Sequence, residues 1–151
     1  MFGGKGSSSV SSKSGEQNAK AGGGRKLSAL IVDDDRVLRR IHKVLLSKHG
    51  FSIVHVVENG KEAVDLYSAG AAQFDVVFMD MDMPVMNGLE ATRRLRGMGV
   101  DTMIVGITSR ALDAETQAFM GAGLNSCYVK PLTTEMILPV IHQLQSNYAF
   151  A

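Results

Sequence analysis

The chain has 151 residues and 16.2 kDa, with 45% hydrophobic and 21% charged side chains and a net charge of +1. That is one domain's length of ordinary globular composition, enough to bury a core without metal or disulfide staples. The near-neutral balance argues against a nucleic-acid-binding domain, and the single cysteine excludes an intramolecular disulfide and points to a reducing compartment.

Residues 1–26 carry five basic side chains (Lys5, Lys13, Lys20, Arg25, Lys26) and one acid, Glu16. They also hold seven glycines and six serines, a composition that cannot bury enough surface to offset its ordering entropy. This stretch reads as a flexible tail, 27–146 as the domain and 147–151 as a short C-terminal tail. No secretory signal is expected, since Met1-Phe2-Gly3-Gly4-Lys5 leads into no apolar stretch, and Phe2 excludes N-myristoylation. No apolar run approaches the ~20 residues of a membrane helix.

From Leu27 short β-rich runs alternate with helical patterns. Residues 27–32 (LSALIV) form a first strand ending in Asp33-Asp34-Asp35. Val37, Leu38, Ile41, Val44 and Leu45 recur at helical spacing, with Asp35 as N-cap and Gly50 as terminator. Residues 52–57 form a second strand. Asn59 and Glu62 open a second helix that ends at Gly70. Residues 74–79 (FDVVFM) run straight into Asp80. A short helix follows over 89–96, then a fourth strand over 103–107 ending at Thr108. The pattern predicts a helix over 111–122 closed by Gly123, a brief fifth strand over 127–129 before Lys130-Pro131, and a last helix through Met136, Ile137, Val140, Ile141 and Leu144. Pro139 inside that helix predicts a kink or a late start.

Strands alternating with helices predict a parallel sheet covered on both faces, with ligands at the carboxyl ends of the strands. The residues there are Asp33, Asp34 and Asp35, then Asp80 and Asp82, Thr108 and Ser109, and Lys130. Three carboxylates from two strand ends repel one another unless a cation neutralises them, and hard oxygen ligands suit Mg²⁺. A carboxylate beside such a metal can attack a phosphoryl group, while Lys130 and Thr108 offer an ammonium and a hydroxyl to its oxygens. Together these make a phosphoryl-transfer site.

Ile31-Val32-Asp33-Asp34-Asp35, Met79-Asp80-Met81-Asp82-Met83-Pro84 with Asn87-Gly88, Ile107-Thr108-Ser109 and Lys130-Pro131 resemble the response-regulator receiver domain of two-component signalling. The resemblance covers about residues 27–146 and places four motifs in the family's order and spacing. It implies the flavodoxin-like, chemotaxis-regulator (βα)5 fold with strand order 2-1-3-4-5. It implies that Asp80 accepts phosphate from a phosphohistidine of a histidine phosphotransfer protein or histidine kinase. It implies Mg²⁺, for which Mn²⁺ can substitute, held by Asp33 and Asp34 with Asp80 and the main-chain oxygen of Asp82, and contacts from Thr108 and Lys130 to the phosphoryl group. The phrases around 103–109 and 122–133 resemble the plant type-C regulators, which stand alone without a DNA-binding domain and would link the chain to cytokinin signalling. With the charge balance, the single cysteine and the lack of a long apolar run, the expectation is a cytoplasmic, also nuclear, monomer that binds neither membrane nor nucleic acid.

One position departs from the family. Receivers carry Tyr or Phe three residues before the lysine; here Cys127 stands there and Tyr128 follows, on the opposite face of a strand. The aromatic switch is therefore in question. Cys127 reads as a small core residue, Asp82 equally as a metal-water contact or a solvated loop acid, and Asn87-Gly88 as turn chemistry. His42, His49, His55 and His142 lack ligand spacing, so none reads as a phosphoacceptor.

Asp80-Met81-Asp82 also resembles the nucleophile–acid pair of haloacid-dehalogenase-type phosphatases. Chain order argues against them, because an acid pair precedes Asp80 by 46 residues and only Glu135 follows Lys130. A binding module that has lost phosphorylation finds support only in the missing aromatic. Two mechanisms remain within the receiver reading: a conformational switch for an effector protein, or a phosphate sink that drains its donor.

Overall fold

The computed structural model describes residues 25–70, 72–111 and 113–149. The Gly/Ser-rich stretch over 1–24 lies outside them. Strands β1 (Leu27–Val32), β2 (Phe51–Val57), β3 (Val76–Asp80), β4 (Met103–Thr108) and β5 (Ser126–Val129) form one parallel sheet in the order β2-β1-β3-β4-β5. Helices α1 (Arg36–Ser47), α2 (Gly60–Ser68), α3 (Gly88–Gly97), α4 (Ala114–Gly121) and α5 (Thr134–Ala149) connect or follow them.

β1, β3 and β4 read as almost unbroken apolar runs because both faces of the sheet are covered. Alternate residues serve opposite layers. Ala29, Ile31, Phe78, Val105 and Ile107 pack with Leu46 of α1 and with Ile137 and Leu144 of α5. Leu30, Val32, Val77, Met79 and Ile104 pack with Ala63 of α2, Leu95 of α3 and Phe119 of α4. Edge strand β2 buries only its end residues, Phe51 and Val57. Among the described residues no helix is long and apolar enough to cross a membrane.

The helix starts follow side-chain capping. The Asp35 side chain accepts from Val37 and Leu38, Asn59 from Glu62, and Asn87 from Glu90. Asn87-Gly88 is thus a helix start and not only a turn. The fourth helix is shorter than the sequence pattern suggests, because Asp113 and Thr116 form a reciprocal capping box that starts it at Ala114. Gly50 and Gly70 adopt positive φ just past α1 and α2, as terminators do.

The last helix departs from one of the two expectations for Pro139, the late start. It begins five residues before Pro139, so the start is not late, and it continues over 147–149 in the stretch read as a tail. Pro139 removes one bond near the helix start and lies on an exposed flank, while Ile137, Val140 and Leu144 stay buried. Tertiary packing of that apolar face outweighs the lost backbone bond.

Candidate functional site

Register brings the sequence's polar strand ends together. Val32 pairs with Met79 between β1 and β3, so Asp33 and Asp80 leave neighbouring strands side by side. Asp80 pairs with Ile107 of β4, and Thr108 pairs with Val129 of β5, one residue before Lys130. The Lys130 amide donates to the Thr108 carbonyl at 2.7 Å. The Lys130–Pro131 peptide is cis.

Carboxylate oxygens of Asp33, Asp34 and Asp80 all lie within 4.8 Å of one another. Asp33 and Asp80 are buried, and Asp34 is exposed at the mouth. Lys130 Nζ reaches both buried acids, Asp33 Oδ2 at 3.1 Å and Asp80 Oδ2 at 3.2 Å. Asp33 Oδ1 accepts from the Asp35 amide at 2.9 Å, which ties its carboxylate to the turn that opens α1. Asp80 Oδ1 accepts from the Asp82 amide at 3.3 Å. Gly88 leaves room for this loop, because a Cβ there would run into the Asp80 carbonyl.

One ammonium against three carboxylates leaves the cluster short of positive charge. Burial, and next the Asp33 carboxylate, push the Asp80 carboxyl up to about 7, with Lys130 pulling the other way. Burial works against the Lys130 ammonium, yet Asp80 and Asp33 outweigh it and hold its pKa above the usual value. An all-oxygen donor set with excess negative charge and one exposed carboxylate suits a hard divalent cation.

The buried Thr108 hydroxyl accepts from the Arg110 amide at 3.1 Å. Ser109 is exposed beside it. The Asp82 side chain turns outward, and the Arg110 guanidinium grips it at 2.7 and 3.2 Å while also meeting Glu115 at 2.7 Å. Asp35 stays with its helix as the cap. Cys127 packs with the layer that holds Phe119 and Leu124, whereas Tyr128 packs with the layer of α1 and α5. The one-residue offset therefore puts the aromatic ring on the other side of the sheet.

Sequence reasoning missed two residues near the site. Arg110 gave no periodic or motif signal, and only its place two residues after Thr108 pointed toward the mouth. His42 lacks ligand spacing in the sequence, yet it is fully buried beneath the site, where its Nε2 accepts from the Leu132 amide at 3.0 Å.

Residues 29–142 match the response regulator receiver domain family. Two-component response regulator 24 of Arabidopsis thaliana is 50% identical over 119 residues, spanning 79% of this chain and 84% of that protein. Two-component response regulator ORR41 of Oryza sativa subsp. japonica is 41% identical over 114 residues, 75% of this chain and 90% of that protein. Among solved structures, the receiver domain of the histidine kinase CKI1 from Arabidopsis thaliana, complexed with Mg²⁺ and BeF₃⁻, is 30% identical with a TM-score of 0.65 over 81% of this chain and 91% of that one.

Proposed function

Because this chain belongs to the response regulator receiver domain family, we propose that it accepts a phosphoryl group from a phosphohistidine onto Asp80 and returns it to water. The observation that carries this reading is the meeting of Asp80 with Asp33, Asp34 and Lys130 at the carboxyl end of the sheet. The donor is a histidine phosphotransfer protein or a histidine kinase, in the cytoplasm or nucleus.

Asp33, Asp34 and Asp80, with the main-chain oxygen of Asp82, would hold Mg²⁺, or Mn²⁺ in its place. The ion supplies charge neutralisation for the carboxylates and the phosphoryl oxygens. In its ionised form the Asp80 carboxylate attacks phosphorus with an oxygen lone pair. The bond to the histidine nitrogen breaks, and that nitrogen keeps the electron pair. Lys130 then moves its ammonium from the Asp80 carboxylate toward the incoming phosphoryl oxygens, and the Thr108 hydroxyl donates to another. Hydrolysis transfers the phosphoryl group to water and regenerates the Asp80 carboxylate.

The displaced aromatic favours a phosphate drain over a conformational switch. Cys127 is a smaller side chain than the ring that the family carries at this position, and Tyr128 packs on the opposite layer. The test mixes this protein and Mg²⁺ with a panel of labelled phosphohistidine proteins and follows label on both partners and free phosphate. Rapid loss from one donor with little steady label here supports a drain. Stoichiometric, hour-stable label returns the switch, and no transfer from any donor or small phosphodonor sinks the acceptor reading.

A further inference from the structure

His42 lies on the inward face of α1 with no exposed surface. Its Nε2 accepts the Leu132 N–H across a sequence gap of 90 residues. An accepting Nε2 places the ring proton on Nδ1, which finds no hydrogen-bond partner among the described residues. Burial lowers the ring's pKa, in keeping with a neutral imidazole. An aliphatic side chain would fill this space without an orphaned donor, but it would strand the Leu132 amide.

That amide has a particular place in the chain. Lys130 is followed by Pro131, which has no N–H. Leu132 therefore supplies the first donor after Lys130 that can anchor the turn. On the other side, the Lys130 amide is anchored to Thr108 of β4. The lysine is thus clamped upstream to β4 and downstream to α1, the helix whose cap follows directly on Asp33 and Asp34.

We propose that His42 is a positioning residue, whose Nε2 bond to Leu132 fixes Lys130 between Asp33 and Asp80. It touches no reacting atom; its effect on phosphoryl acceptance rests on the proposed function, its effect on Lys130 does not.

The test uses the full chain with His42→Leu, which removes the acceptor, and His42→Gln, which keeps one. The first readout is a crystal structure of His42→Leu. The contacts of Lys130 at 3.1 and 3.2 Å should open there and return in His42→Gln. Both contacts intact in His42→Leu overturn the proposal, whether or not the protein accepts phosphate. The second readout is labelling by acetyl phosphate with Mg²⁺. In His42→Leu the maximal rate should fall roughly ten- to a hundredfold at unchanged Mg²⁺ affinity, with rescue in His42→Gln. A lower melting temperature at a wild-type maximal rate means packing alone and overturns it. Should His42→Leu fail to fold, the wild type still decides: rapid exchange of the Leu132 amide, or a ring proton found on Nε2, overturns the clamp. A wild type that never labels, with Lys130 displaced in His42→Leu, defeats the functional reading and leaves the clamp standing.

Discussion

Two polar clusters sit at opposite ends of β4 and β5, and they are built on opposite principles. At the amino end Arg96 of α3 donates to four acceptors: the carbonyls of Gly123 at 2.9 Å, Val100 at 2.9 Å and Thr102 at 2.7 Å, and Asn125 Oδ1 at 2.9 Å. Asn125 Oδ1 also takes the Ile104 amide at 2.8 Å, so the cluster is closed. At the carboxyl end three acids crowd one ammonium, and burial pushes Asp80 up to about 7. A saturated network locks loops in place, and an unsaturated one keeps capacity for charge that arrives later. The two ends should therefore answer mutation differently.

The largest contrast is expected at Asp80. Asp80→Asn should abolish acid- and base-labile labelling by a phosphohistidine donor, measured by transfer of radiolabel. Persistent label in the mutant would move the nucleophile to Asp33 or Asp82. Arg96→Met should leave labelling intact, since its partners lie at the far end of the strands.

Metal affinity comes next. Asp34→Ala should weaken Mg²⁺ by at least about tenfold in a direct titration, because the exposed carboxylate at the mouth is lost. Arg96→Met should bind Mg²⁺ as the wild type does. Equal affinity in Asp34→Ala would remove that residue from the metal site.

Stability should reverse the ranking. Arg96→Met strands the Gly123, Val100 and Thr102 carbonyls and should cost about 2–4 kcal/mol in denaturant unfolding. Asp80→Asn should instead stabilise the metal-free protein above neutral pH. The folded pKa of Asp80 is raised from 3.8 to about 7, so its favourable contribution is present below the lower value and is lost as pH rises through the upper one. The advantage of Asp80→Asn should therefore grow between those values and level off at about 2–4 kcal/mol. Saturating Mg²⁺ should shrink it, and an advantage flat from acid to alkaline pH would assign the frustration elsewhere.

The same contrast marks what the sequence made legible. The strand ends could be read because each acid follows a β-rich run, and a parallel fold must gather such ends on one side. Asp35 as cap and Gly50 as stop were legible from local backbone chemistry. Arg96 was not, because three of its four acceptors are backbone carbonyls, in the loop that follows α3 and in the loop before β5, and these leave no side-chain signature. Nor was the buried role of His42, whose partner is a backbone amide 90 residues away. The third strand runs to Asp80 and the fourth helix starts at Ala114 because pairing and capping set those ends, not apolar periodicity. The late start that Pro139 suggests fails for the reverse reason: helix propensity is local, while the buried face of α5 is a tertiary matter.

The smallest expected effect separates two explanations of phosphate lifetime. Cys127 pairs in register with Gly106 and packs in the layer of Phe119 and Leu124. If its small side chain lets water reach the acyl phosphate, Cys127→Tyr should slow hydrolysis by about threefold, a change of under 1 kcal/mol in the barrier. The competing control lies on the other side of the mouth, where Arg110 holds Asp82 at 2.7 Å and Glu115 at 2.7 Å. Arg110→Ala frees Asp82 to turn toward the site, where its carboxylate can order water or repel it, so the lifetime should move in that variant if the mouth is in control. Both variants are labelled with the same small phosphodonor, the donor is removed, and loss of label is timed in excess Mg²⁺. A longer lifetime in Cys127→Tyr alone assigns hydrolysis to access through the β5 side. A change in Arg110→Ala alone assigns it to the loop beside Asp80, and the missing aromatic then matters only for readout by a partner, not for turnover.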